Sequence, residues 1–127
     1  PMALSIRREQ LAIFGADERA EFVAQILPYL AEAHPDWYRE QGAAGAQRLV
    51  ERAIDKGARH DILGRQPVLT FIELLIEFGE AFERSPEQAW AAGILSHPTL
   101  PGVLKVEVLG ERLRARTHGR RIVEPTR

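Results

Sequence analysis

Residues 66–82, QPVLTFIELLIEFGEAF, constrain this chain more than any other stretch. At about 100° per residue, Val68, Leu69, Phe71, Ile72, Leu74, Leu75, Ile76, Phe78 and Phe82 fill roughly 220° of a helical wheel. Gln66, Thr70, Glu73, Glu77 and Glu80 share the remaining arc. Three of the chain's five phenylalanines fall here, so much of its bulkiest apolar surface belongs to one element. The pattern predicts a buried helix over 67–82 with a single polar stripe. The fold class that follows is all-α: a compact single-domain bundle of about five to seven helices around this central apolar helix.

The size of the chain, 127 residues, agrees with one domain whose core needs no staples. There is no cysteine, which removes disulfides and thiolate chemistry from consideration. No run approaches the roughly 18–20 apolar residues that span a bilayer. The opening PMALSIRREQ has no basic region followed by an apolar one, as a signal peptide would, and Pro1 before Met2 reads as a cloning or protease scar. These features together predict a cytoplasmic protein. Charge is unevenly spread: residues 1–104 carry 10 basic and 15 acidic side chains, and residues 105–127 carry 7 basic and 3 acidic. The expected organisation is a helical domain over 1–116 followed by an extended basic tail over 117–127.

Local signals place the other elements. Ser5 can cap a short helix to about Phe14, closed by Gly15. Asp17 can cap a helix over 18–33 whose Phe22, Val23, Ile26, Leu27 and Leu30 share a face, with a kink expected at Pro28. A short turn is expected around Trp37 and Tyr38. Residues 46–56 read as a helix stopped by Gly57. Ser85-Pro86-Glu87-Gln88 has the form of a capping box, with Ser85 as cap and Pro86 in the first helical position. For residues 102–115 a helix opened by Pro101 is favoured over a hairpin turning at Gly110-Glu111, because a lone two-stranded hairpin is marginal in water.

Candidate chemistry is sparse. His34, His60, His97 and His118 have no i, i+3 or i+4 pairing on a predicted helix, so no metal site is expected. No phosphate loop or nucleophile elbow is present, and neither a cofactor nor a catalytic residue is predicted. The stripe Glu73, Glu77, Glu80 reads as a solvated face or as a source of structural pairs, with Arg48, Arg52 or Arg59 as partners for Glu73. The basic tail, with Arg112, Arg114 and Arg116 ahead of Arg120 and Arg121, could grip phosphates non-specifically. It has no aromatic side chain for base stacking, so a nucleic-acid-associated regulator is the alternative reading. Trp37, Tyr38 and Arg39, beside a proline and a glycine-rich segment, are the candidate partner-binding residues, since aromatic and arginine anchors dominate interfaces.

One further pattern spans Glu51 to Leu113. Lys56-Gly57 follows a helix, then come Phe71-Ile72-Glu73-Leu74, Phe78-Gly79 and Phe82. Pro86 precedes Trp90-Ala91 and Ile94-Leu95, and Lys105 and Glu107 stand before Leu109. This resembles a group of small bacterial proteins encoded beside type VI secretion spike and effector genes. Val108-Leu109-Gly110 stands here where that group carries tyrosine-type residues, and Glu83-Arg84 partly replaces its acidic residues around Phe82. The resemblance implies a non-enzymatic partner-binding protein, an effector chaperone or adaptor or an immunity protein. The implied partner is a secreted effector or spike component.

Overall fold

The protein is all-α, with no strand among the described residues. A computed structural model describes the backbone of residues 16–123 and the side chains of residues 17–116. The helix expected between Ser5 and Phe14 lies outside this range. Five α-helices are described: α1 (Ala16–Ala33), α2 (Pro35–Arg59), α3 (Arg65–Phe78), α4 (Ala89–Leu95) and α5 (Gly102–Val123). Two 3-10 turns, Phe82–Arg84 and Pro86–Gln88, join α3 to α4.

One apolar cluster takes side chains from all five helices, with Ile62 and Phe82 added from the links. α1 contributes Phe22, Val23, Ile26 and Leu30, the face its periodicity predicts. It continues through Pro28. Ala24, whose carbonyl loses its helical partner, and Pro28 are both exposed, so water can satisfy the free oxygen. α1 closes with the His34 N–H donating to the Leu30 carbonyl, and Pro35 starts α2 where its missing N–H costs nothing.

α2 is two helical pieces joined at Gly42, whose φ of 75° and ψ of 162° leave the helical region. A side chain there would meet nothing within 4 Å, so glycine serves the dihedral and not the space. Beyond it, Gly45, Ala46, Leu49, Val50, Ala53, Ile54 and Gly57 form the buried face.

Gly57 does not end the helix, contrary to the sequence expectation. The stop is a Schellman turn one step on. Asp61 occupies the left-handed position at φ 63°, its N–H donates to Ala58, and the Ile62 N–H donates back to Gly57. Gly57 is small because Ile62 folds onto it: a Cβ at 57 would lie 3.2 Å from the Ile62 oxygen.

α3 buries Val68, Phe71, Ile72, Leu74 and Leu75; each large apolar side chain so placed contributes about 1.5–3 kcal/mol. It packs against α2 and α5. The predicted helix over 67–82 is four residues too long at its end. Gly79 adopts φ 102° and terminates α3 after Phe78, while its N–H still caps the Leu75 carbonyl at 2.9 Å.

Two further expectations change. Ser85 makes no side-chain cap; it holds the next turn through its main-chain oxygen, which accepts from the Gln88 N–H at 2.9 Å. α4 proper starts only at Ala89. Residues 117–123 of the expected extended tail are helical instead, since α5 continues to Val123. The helix favoured for 102–115 is present and the hairpin is not. Among the described residues no helix is long and apolar enough to cross a membrane.

Candidate functional site

The Gly79 break turns the chain so that residues 80–84 run past the second half of α2. Arg52, Asp55, Lys56 and Arg59 recur at helical spacing on one face of α2, and His60 caps its end. With Glu80, Ala81, Glu83 and Arg84 they line a cleft of about 670 Å³.

Ion pairs fix the two walls to each other. Arg52 forks onto Glu80, with Nε 2.5 Å from Oε2 and Nη2 2.9 Å from Oε1. This bidentate geometry is the strong form of a guanidinium–carboxylate contact, and it holds the Glu80 carboxyl below its ordinary range. Lys56 donates to the Glu80 carbonyl at 3.0 Å and to Glu83 Oε2 at 2.8 Å. The Lys56 and Glu83 side chains keep only 16% and 14% of their surface exposed, so this pair is shielded from solvent. Asp55 is engaged from outside the cleft by Arg19 on α1, at 3.0 Å.

Three features of the lining are left over. Arg59 and Arg84 are exposed and have no ion-pair partner among the described residues. Glu83 Oε1 is buried with no hydrogen-bond donor among them. His60 is held below the usual histidine pKa, chiefly by burial and then by the positive charges of Lys105, Lys56 and Arg59, with Glu83 opposing.

Below the cleft, Lys105 from the first turn of α5 is buried with 1% exposure. Its Nζ donates to the carbonyls of His60 at 2.7 Å and Leu95 at 2.6 Å. Those oxygens lie at the C-terminal ends of α2 and α4, where the helix dipoles are negative, so the ammonium is compensated without a carboxylate. Gly102 makes the approach possible: a Cβ there would fall 2.0 Å from the Asp61 oxygen.

The carboxylate stripe is divided among three elements. Glu73 does not pair with Arg48, Arg52 or Arg59. Its Oε2 accepts from the Tyr29 hydroxyl at 2.9 Å and from His34 Nε2 at 3.1 Å, joining α3 to the end of α1. Glu73 in turn raises the Tyr29 pKa, first through that hydrogen bond and then through its charge. Glu77 lies 3.7 Å from Arg114 on α5. Glu80 is outside the helix and bonded to Arg52.

Trp37 and Tyr38 are half-buried in the first turns of α2 and pack against the core, their rings edge to face with centroids 6.5 Å apart. Arg39 is exposed and pairs with Asp36 at 2.8 Å, on a shallower hollow shared with Glu40. The three residues are neighbours, but Arg39 alone stands clear of the core.

His97 Nδ1 accepts from the Thr99 and Leu100 N–H groups, each at 3.2 Å, and so shapes the bend before α5. The His118 side chain is outside the described range. Among the described residues no three His, Asp or Glu side chains gather as a metal-binding group. Two of the arginines ahead of the basic segment have intramolecular roles: Arg112 stacks over Trp90 at 4.6 Å, and Arg114 reaches Glu77.

Sequence reading noted Arg52 and Arg59 only as partners for Glu73 and missed the cleft they line. The i, i+3, i+4, i+7 series of charged residues from Arg52 to Arg59 was the available signal. The opposite wall depends on a glycine dihedral. Comparison with protein-family models, with curated proteins and with solved structures finds no match to this chain.

Proposed function

We propose that this protein works by stoichiometric binding of a partner protein and turns nothing over. In this reading it acts in the cytoplasm, as an effector chaperone or adaptor or as an immunity protein, in bacterial type VI secretion. The observation that carries the binding role is the cleft beside α2. Its walls are joined by the Arg52–Glu80 and Lys56–Glu83 pairs, while Arg59 and Arg84 face solvent with no ion-pair partner among the described residues. A cleft whose two walls are already joined by ion pairs, with unspent charge at its rim, suits recognition of an oppositely charged partner. The resemblance of residues 51–113 supplies the secretion context.

The test is co-expression with the effector and spike proteins encoded next to its gene, followed by light scattering on the eluted species. A defined complex is expected, with an interface of about 1,200–2,000 Å² in total. Failure of every such protein to co-elute ends this reading. A killing assay divides the two roles: an immunity protein rescues cells from the toxin, and a chaperone or adaptor leaves toxicity intact but is needed for delivery.

A further inference from the structure

We propose that the cleft between α2 and residues 80–84 receives an acidic peptide segment of the partner. Arg59 and Arg84 take its side-chain carboxylates. The inference rests on the partner-binding reading above and names the chemistry of the segment bound.

Three observations point to this ligand. Of the four cations in the lining, Arg52 and Lys56 are committed to Glu80 and Glu83, which leaves Arg59 and Arg84 without an ion-pair partner among the described residues. Arginine forks match carboxylates bidentately. The second observation is that every carboxylate of the lining is already paired, Asp55 with Arg19, Glu80 with Arg52 and Glu83 with Lys56, so the excess charge presented to a ligand is positive. An acidic peptide supplies the matching charge through its Asp or Glu side chains.

The third observation separates a peptide from a nucleic acid. Only two of the four lining cations are uncommitted, which is too few to follow a run of phosphates. The lining offers no Phe, Tyr or Trp face on which a base could stack. A cleft of mixed sign, with cations in excess at the rim, suits a segment carrying spaced carboxylates. At about 670 Å³ it has room for a short extended stretch, within the range of small-ligand sites.

The experiment measures fluorescence anisotropy with two labelled peptides, acetylated and amidated, one alternating glutamate with glycine and the other glutamine with glycine. Oligothymidylate is the third probe. The proteins are the wild type, Arg59→Gln/Arg84→Gln, Arg59→Glu/Arg84→Glu and, as a control on α5, Arg116→Gln. Positions 59 and 84 are exposed and have no ion-pair partner among the described residues, and circular dichroism with thermal melting checks that each variant keeps the fold.

The glutamate peptide is expected to bind the wild type and Arg116→Gln alike. It should bind Arg59→Gln/Arg84→Gln at least about tenfold more weakly, bind the charge-reversed variant more weakly still, and lose affinity as salt rises. The glutamine peptide should bind at least about tenfold more weakly than its acidic counterpart. Equal binding of the two peptides, equal binding by the wild type and the double variants, or tighter binding of oligothymidylate overturns the proposal; the last would assign the cleft to nucleic acid.

The two readings fail separately. If a secretion protein co-elutes equally with the wild type and with the charge-reversed variant, partner binding stands and the cleft is not its site. If none co-elutes while the glutamate peptide still binds through Arg59 and Arg84, the cleft chemistry stands and the secretion reading falls.

Discussion

Lys105 donates from Nζ to the main-chain oxygen of His60 across 2.7 Å, and so fastens the first turn of α5 to the end of α2. A second bond of 2.6 Å to Leu95 adds the end of α4. An isolated buried ammonium would be expensive to desolvate. Here two carbonyls at helix C-termini offset that cost. In Lys105→Met the desolvation disappears, but two acceptors lose their donor at about 1–3 kcal/mol each. The second effect should win, with a net loss of about 1–3 kcal/mol in urea unfolding. A Met variant as stable as the wild type would show that the ammonium fastens nothing.

The same junction depends on Gly102. Its added Cβ would strike the main-chain oxygen of Asp61, and backbone cannot move aside as a flexible side chain can. Gly102→Ala should therefore cost about 1–3 kcal/mol or more by overpacking. Asp61→Gly should do the opposite. It relieves a non-glycine residue at φ 63° and is expected to gain about 0.5–1 kcal/mol. Thermal unfolding of the two variants should bracket the wild type.

His60 gives a signed pH dependence. Its pKa is below the ordinary 6.5 in the folded protein, so the unfolded chain takes up the proton first as pH falls. Between the two values the unfolded state binds more protons, and stability drops as pH decreases. His60 thus contributes stability that is fully present above about pH 6.5 and is lost progressively below it, down to the folded pKa. Chemical denaturation at about pH 7.5 and 5.5 tests this within a range where Glu80 stays ionised in both states. The fall should be smaller in His60→Gln; an equal fall in that variant removes His60 as the cause.

Ser85→Ala should be nearly silent. A true N-cap serine is worth about 0.5–2 kcal/mol, but the Ser85 side chain makes no cap bond. A change within about 0.5 kcal/mol is expected. A loss above about 1 kcal/mol would mean that the hydroxyl caps the turn in solution after all.

Trp37 and Arg39 should behave differently from each other. Trp37 is half-buried against the core, so Trp37→Ala should cost about 1–3 kcal/mol of stability. Arg39→Ala removes only an exposed i, i+3 pair with Asp36 and should change stability by less than about 0.5 kcal/mol. Melting curves read alongside partner capture show whether any Trp37 effect on binding exceeds its effect on the fold.

What was legible in the sequence was periodicity. The stripes Phe22-Val23-Ile26-Leu30 and Leu49-Val50-Ala53-Ile54 are buried as their spacing implies. So is the apolar face of 68–75, and the helix after Pro101 outcompetes the hairpin. Glycine dihedrals were not legible. Phe78 and Phe82 keep the helical phase of the residues before them, and only the φ of Gly79 takes residues 80–84 out of the helix. The cleft follows from that turn, because Arg52 and Glu80, 28 positions apart, meet only after it. Gly57 reads as a helix stop because a glycine at C′ and a glycine under a packed side chain look alike in sequence. Lys105 could have been found: with Val106, Leu109 and Leu113 it falls on one buried stripe of α5.

The bonds from Lys105 end on main-chain oxygens, and this decides which substitutions the join can survive. Every amino acid carries the same carbonyl, so the residues at 60 and 95 can drift in identity without loosening the fastening, provided their helices still end there. Positions 102 and 105 have no such freedom, since one must lack a side chain and the other must deliver an ammonium. A distant descendant of this chain would therefore betray its ancestry less by the residues that receive the contact than by a glycine followed three places later by a lysine that never reaches water.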